Sequence, residues 1–287
     1  MPLVSDQRIF NYKFKHSVSL LCWAYNEEES IEEFLEKATK MMEQTVDDYE
    51  IVLVEDGSTD STYKIAKTFQ ARNPKLRIYK NEKNLNTGIS SRRAIEKATK
   101  EYCFWQTVDW GYDLRNLRQY LGYLKDYDIV QGVRRNPVKV RIRIFKPFVA
   151  LLKLFGMKHL TRRSDTIYKA IISLINYIVI RILFRVPLSD FQNVTFYPTK
   201  WLQSINFEAI GPFANPEGLI KSYWSGMSIK EVSISFIPRE KGAATGTSLD
   251  SIKRSVYDII RLWFTWIVLG RRKLIKKGKI YRLDPSE

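Results

Sequence analysis

Residues 52–62 read VLVEDGSTDST, an aliphatic run that ends abruptly in acids, a glycine and hydroxyls. The apolar part, Glu50 to Glu55 (EIVLVE), has the length and branching of a buried strand. Asp56-Gly57-Ser58 is turn and helix-cap chemistry. Ile65, Ala66 and Phe69 then mark the inner face of a helix. The unit is strand, polar loop, helix, with two carboxylates, Glu55 and Asp56, at the strand's carboxyl end.

The same unit recurs on both sides. Upstream, Val18 to Ala24 is a strand-length run that leads into Tyr25-Asn26-Glu27. Ile31, Phe34, Leu35, Ala38, Met41 and Met42 follow at helical spacing. Downstream, Leu76 to Tyr79 predicts a third strand and residues 88–100 a third helix. Tyr102 to Val108 predicts a fourth strand that stops at Asp109. Leu114, Leu117, Leu121 and Leu124 predict another helix, and Asp128 to Gln131 a fifth strand. This alternation predicts an α/β fold of βαβ units around a mostly parallel sheet. Ligands bind outside the carboxyl ends of such strands. Those ends carry Asn26, Glu27, Glu55, Asp56 and Asp109. No G-x-G-x-x-G follows the first strand, which disfavours a Rossmann-type dinucleotide site.

Composition narrows the class. The chain has 287 residues, 45% hydrophobic and 27% charged, which excludes a disordered or collagen-like polymer. Cys22 and Cys103 lie in apolar runs and read as small core residues in a reducing compartment. No run of about 18 uninterrupted apolar residues occurs, and Met1 to Lys15 lacks a signal-peptide core. Neither a full membrane span nor a leader is expected. The net charge of +16 is uneven. Residues 134–165 hold ten Lys/Arg and one acid, and residues 253–287 hold ten and three, so these segments carry the whole surplus. Beside them, Ile167 to Phe184 and Val256 to Leu269 are amphipathic helix candidates. Basic charge interleaved with apolar residues predicts helices lying in an anionic membrane interface. The plainer reading is two helices packed on each other in a soluble core. Nucleic acid is not expected as a partner, because no RNA-recognition aromatic motif is present.

Four stretches occur in a telling order: Ser17 to Glu28 (SVSLLCWAYNEE), Val52 to Thr62, the Asn86-x-Gly88 helix start, and a strand ending at Asp109. Together they resemble glycosyltransferase family 2, which has the GT-A fold. Ser189-Asp190-Phe191-Gln192 and Arg239-Glu240-Lys241-Gly242 through Ser248 resemble its polyprenyl-phosphate branch, which includes dolichol-phosphate mannose synthases and bactoprenol glucosyltransferases. The resemblance spans residues 16–250. It implies a GT-A domain over 1–250, with 137–186 as a basic, amphipathic insertion and interface helix. Residues 251–287 then form a basic amphipathic C-terminal membrane-interface segment. Three departures stand out. Trp23 replaces the family's Pro, the Asp-x-Asp metal motif reads Asp109-Trp110-Gly111, and residues 137–161 look inserted.

The resemblance implies an inverting, metal-assisted transfer of a sugar from a nucleoside diphosphate to a polyprenyl (undecaprenyl or dolichyl) phosphate at the cytoplasmic membrane face, by a peripheral or monotopic protein. Tyr25, Asn26, Glu27, Glu55, Asp56 and Gly88 match donor positions. Ionised carboxylates only accept hydrogen bonds, which suits ribose hydroxyls and base N–H groups. Asp109 and Asp190 are the candidate catalytic carboxylates. Asp109, with Asp113 as a second ligand, is implied to hold Mg²⁺ or Mn²⁺ against the leaving diphosphate. Asp113 also reads as an N-cap for a helix starting at Leu114. Asp190 stands where a base or acceptor-orienting carboxylate belongs. Arg134, Arg239, Lys241 and Ser248 match acceptor-phosphate positions, with Arg162 or Arg163 as rivals of Arg134. Guanidinium forks suit phosphate oxygens. Two alternatives stay open. One is the same fold acting on a saccharide or cell-surface polysaccharide hydroxyl, which makes Asp190 an obligatory base. The other is a non-catalytic basic protein that binds membranes or RNA. The oligomeric state is open, a homo-oligomer included.

Overall fold

Strands β1 (Val18–Ala24) and β2 (Tyr49–Glu55) pair in parallel, from Val18 opposite Tyr49 to Ala24 opposite Glu55. They lie at the heart of a computed structural model that describes residues 13–134, 177–237, 249–270 and 278–281. β2 is buried along its whole length, which is why it reads as a continuous aliphatic run rather than an alternating one. β3 (Leu76–Lys80), β4 (Tyr102–Trp105), β5 (Ile129–Val133), β6 (Thr195–Pro198), β7 (Ser228–Ser233) and β8 (Lys279–Tyr281) extend it into one sheet. The order is β3-β2-β1-β4-β6-β5-β7-β8. Every pairing is parallel except the two that β6 makes. The expected mostly parallel α/β sheet is what forms.

Strand alternation divides the core into two layers. Leu20, Cys22, Ile51 and Leu53 face α1 (Ile31–Thr45), α2 (Thr62–Arg72) and α4 (Leu117–Gly122), which contribute Phe34, Leu35, Met42, Phe69 and Leu121. Val52 and Val54 face the opposite layer. That layer is built by α3 (Asn86–Lys97), a helix α5 described over 177–184, α6 (Thr199–Ser204), α7 (Ala214–Trp224) and α8 (Leu249–Trp263). Cys22 and Cys103 are both buried free thiols, and burial pushes the Cys103 thiol up to about 12.

Two boundaries differ from the sequence expectation. β4 stops at Trp105, not Val108, because Gln106 turns the chain back on itself. Its side-chain amide donates to the Tyr112 carbonyl at 2.8 Å and accepts from the N–H groups of Thr107 and Tyr112 at 3.0 and 3.2 Å. The helix expected from Leu114 begins at Leu117.

The basic tail is built into the body. α8 buries Ile259 and Leu262, and a wide turn at Phe264–Val268 carries Trp266 into an aromatic nest. There Trp266 meets Phe184 at 5.6 Å and Trp224 at 5.7 Å, both edge-on. β8 then pairs with β7. Phe184 of α5 therefore packs on Trp266 just past α8, and both helices bury residues in one core. Their outer faces stay apolar and exposed. On the α8 side Val256, Tyr257, Ile260, Phe264, Val268 and Leu269 are 48% to 61% exposed, and Ile182 on α5 is 67% exposed. Among the described residues, no helix is long and apolar enough to cross a membrane. The segment 137–161, read above as an insertion, and Arg162, Arg163, Arg239, Lys241 and Ser248 lie outside the described residues.

Candidate active site

The loops leaving β1 and β2 are zipped together by side chains. Asn26 adopts a left-handed φ of 53°. Its N–H donates to Ser58 Oγ at 3.0 Å and its Oδ1 accepts the Thr59 N–H at 2.9 Å. The Glu27 N–H donates to Thr62 Oγ1 at 2.8 Å, and Glu28 accepts the Ser61 N–H at 2.9 Å. Glu55 is fully buried, and its Oε1 accepts the Ser58 N–H at 2.5 Å. Asn26 and Glu55, both expected at the donor, thus shape these loops. Tyr25 is exposed at their rim.

Asp56 ties β2 to the head of α3. Its Oδ1 accepts from Asn81 Nδ2 at 2.7 Å and from the Leu85 N–H at 2.9 Å. Gly88 stands on the first turn of that helix. A Cβ there would lie 2.2 Å from the Ile210 carbonyl oxygen, so glycine is what admits this neighbour. The neighbouring loop is held by two buried carboxylates that sequence reasoning missed. Glu217 accepts the N–H groups of Glu208 and Ala209 at 2.8 and 2.7 Å. Asp258, on α8, accepts those of Ile210 and Gly211 at 3.0 and 2.8 Å.

The loop after β4 carries Asp109 and Asp113. Trp110 has a left-handed φ of 54° and sets its ring edge-on to Phe34. Gly111, where the metal motif's second carboxylate would stand, is closely surrounded by side chains. A Cβ on Gly111 would stand 2.7 Å from Thr107 Oγ1, 3.2 Å from the Phe236 ring and 3.3 Å from Asp109 Oδ1. Asp113 grips Arg115 through both oxygens, with Nη2 donating to Oδ2 at 2.6 Å and Nε to Oδ1 at 2.9 Å. That contact, working against partial burial, holds its carboxyl below the usual range. Asp113 Oδ1 also accepts the Arg115 N–H at 3.2 Å, capping a turn ahead of α4 rather than the helix itself.

These donors fit a hard divalent cation in one manner only. Mg²⁺ takes one or two carboxylates and completes its shell with water and substrate phosphates. Asp109 and Asp113, on one loop, are the two carboxylates that could hold such an ion, with Arg115 displaced; its side chain is 87% exposed. Among the described residues no three His, Cys, Asp or Glu side chains converge, so the protein builds no complete cage there.

The far side of the site is a coupled pair. Arg134 follows β5, and Asp190 precedes β6. Because β6 runs antiparallel to its neighbours, its start lies at the edge where β4 and β5 end. Arg134 Nε donates to Asp190 Oδ2 at 2.7 Å and Nη2 to Oδ1 at 2.9 Å. Two residues with separate expected roles thus hold each other. Ser189, beside them, donates to Glu231 of β7 through its N–H at 2.5 Å and its hydroxyl at 2.8 Å. Tyr112, which nothing in the sequence marked, links the two sides. Its hydroxyl donates to the Gln192 carbonyl at 3.3 Å. Burial pushes its phenol up to about 12, and the charges of Arg134, Asp190 and Asp109 all act on it. The structure therefore brings Arg134 and Asp190 together, with Tyr112 bonded to the Gln192 carbonyl beside them.

A mostly parallel α/β sheet with carboxylates after its first, second and fourth strands is the GT-A arrangement. Residues 19–179, more than half of the chain, match Glycosyl transferase family 2, and the chain belongs to this family. It is 30% identical over 152 residues to Glycosyltransferase AglD of Haloferax volcanii, covering 52% of this chain and 24% of that one. It is 25% identical over 151 residues to Dolichyl-phosphate beta-glucosyltransferase of Dictyostelium discoideum, covering 48% of this chain and 46% of that one. The matches thus span less than half the length of either relative. Glucosyl-3-phosphoglycerate synthase of Mycobacterium tuberculosis, solved with Mn²⁺, UDP and glucosyl-3-phosphoglycerate, shares the fold. The TM-score is 0.54 at 15% identity, over 87% of this chain and 79% of that one.

Proposed function

We propose that the protein transfers a sugar from a nucleoside diphosphate to a polyprenyl phosphate at a membrane face, with inversion at the anomeric carbon. The observation that carries the lipid acceptor is the outer face of α8 and of the turn that follows it. Val256, Ile260, Phe264 and Val268 recur every fourth residue and are all exposed. Exposed Lys253 and Arg254 stand at one end, and Arg271-Arg272-Lys273 follow in sequence at the other. Such a helix lies in an anionic interface. On its inner side Asp258 holds the Ile210-Gly211 backbone against Gly88, which ties the stripe to the donor loops. In this reading residues 1–250 form the transferase domain, and 137–186 with 251–287 form its membrane face.

The donor's base and ribose fall to Tyr25, Glu27 and Asp56, on loops shaped by Asn26 and Glu55, beside Gly88. Asp109 and Asp113 face the diphosphate. Mg²⁺ or Mn²⁺ bound there offsets the negative charge of the leaving group. Arg134, with Arg239, Lys241 and Ser248, receives the acceptor phosphate. The dolichyl-phosphate named for one relative and the Mn²⁺ in the mycobacterial structure support this assignment.

The test is an assay with radiolabelled nucleotide sugars, polyprenyl phosphate in vesicles, and Mg²⁺ or Mn²⁺. Label is expected in the organic phase. Label only in a water-soluble glycan overturns the lipid acceptor. Wild-type protein is also expected to float with phosphatidylglycerol-containing vesicles, whereas Ile260→Asp/Phe264→Asp does not. Its melting temperature should stay close to wild type, since exposed substitutions usually shift stability by no more than about 0.5 kcal/mol.

A further inference from the structure

Among the described residues, four N–H groups converge on the Asp190 carboxylate. Oδ2 accepts Arg134 Nε at 2.7 Å and the Arg134 backbone N–H at 3.3 Å. Oδ1 accepts Arg134 Nη2 and the Gln192 N–H, both at 2.9 Å. A carboxylate offers about four lone-pair sites, and here each is used. The side chains of Asp190 and Arg134 are only 8% and 17% exposed. A general base needs a lone pair within reach of the proton it removes. Asp190 can provide one only by letting go of Arg134, which would strand two nearly buried charges.

We propose that Asp190 is a positioning residue. It sets the guanidinium of Arg134 at the end of β5, and the acceptor's attacking oxygen arrives already ionised. This rests on the polyprenyl-phosphate reading above and sharpens it. A lone pair on the phosphate oxygen forms the new bond to the anomeric carbon. The bond from that carbon to the diphosphate oxygen breaks, and its electron pair leaves with the nucleoside diphosphate. No proton changes hands, so the step needs no base. An acceptor hydroxyl would have to lose a proton, and Asp190 has no open site for it.

Electrostatics makes the two roles separable. If Asp190 faced the acceptor phosphate directly, removing its charge would leave anion binding unchanged or tighter. If it acts through Arg134, removing its charge loosens the guanidinium and weakens binding. The experiment titrates a short, water-soluble prenyl phosphate into the full chain by calorimetry and measures turnover at saturating acceptor. Asp190→Asn is expected to weaken prenyl-phosphate binding about tenfold, the scale of a lost charged hydrogen bond. Its kcat should fall by less than the ~10²–10⁴-fold that a general base supplies. Asp190→Asn/Arg134→Ala should bind no more weakly than Arg134→Ala alone, because one acts through the other. Asp190→Glu keeps the charge but displaces the fork, and should likewise raise the acceptor KM while sparing kcat; it covers the case in which Asp190→Asn does not fold. The proposal is overturned if Asp190→Asn binds prenyl phosphate at least as well as wild type while kcat drops by a base's full factor. If wild type binds no prenyl phosphate, the acceptor reading fails. Turnover of Asp190→Asn on a hydroxyl acceptor then still decides the residue's role, and a loss of that size overturns it.

Discussion

Glu50 apart, the two halves of the sheet use their acids differently. Around β1 to β4, acids follow the strands, and the loops that carry them are zipped by hydroxyls and amides. Ser58, Thr59 and Thr62 meet Asn26 and Glu27 across the two loops. Around β5 to β8, acids work as internal braces. Asp190 holds Arg134, Glu231 holds Ser189, and Glu217 and Asp258 hold successive backbone N–H groups. With its acids turned inward, the second half presents bases and apolar side chains. The difference teaches how one sheet can carry hydrogen-bonded acidic loops at one end and a basic, apolar face at the other.

Three substitutions would break or sharpen that contrast. The largest effect is expected at Asp109, in the donor half. Asp109→Asn should lower kcat by about 10²–10³-fold, the scale seen when one electrostatic stabiliser is removed. Protein stability and vesicle binding should stay near wild type. Full turnover in this variant would move the charge-neutralising role elsewhere.

Gly88→Ala comes next, because Gly88 is one point where the halves touch closely. Its new methyl would meet the Ile210 carbonyl, which is backbone held by Asp258. Overpacking of this kind costs about 1–3 kcal/mol, to be read by urea unfolding alongside nucleotide affinity. Wild-type stability would mean that the loop at 207–211 yields easily and that α8 is not coupled to the donor loops.

The smallest effect lies at the opposite edge of the sheet. Burial pushes the Glu50 carboxyl up, but hydrogen bonds from Arg77, Ser19 and Thr99 outweigh it and leave the group below its ordinary value. A carboxylate depressed in the folded state adds stability above its unfolded value, near pH 4.3. That stability is lost as pH falls through the folded value. Wild type should therefore lose more melting temperature between about pH 5 and pH 3 than Glu50→Gln does. Parallel curves would show that Glu50 contributes nothing to the acid limb.

The donor half was largely legible in the sequence, for a physical reason. A strand buried on both faces must be aliphatic throughout, and its exit must be polar, so VLVEDGSTDST announces both. What hydropathy cannot report is side-chain to backbone bonding, and that is how Gln106 ends β4 three residues early. Around β5 and β6 the residues were legible but their partnership was not. Asp190 and Arg134 are 56 positions apart, and only the reversal at β6 brings them together. The apolar stripe of α8 was visible as composition. The docking of Trp266 and the three-residue β8 were not, because neither leaves a periodic trace.

The antiparallel seating of β6 has a consequence for how such proteins diversify. β5 leaves the sheet and β6 re-enters it at adjacent points on one edge. Everything between Val133 and Thr195 is thus an excursion that departs from and returns to the same place. The closure cost of such a loop grows only with the logarithm of its length. A lineage can lengthen or shorten this excursion without disturbing a strand register, provided Arg134, Phe184 and Asp190 keep their places.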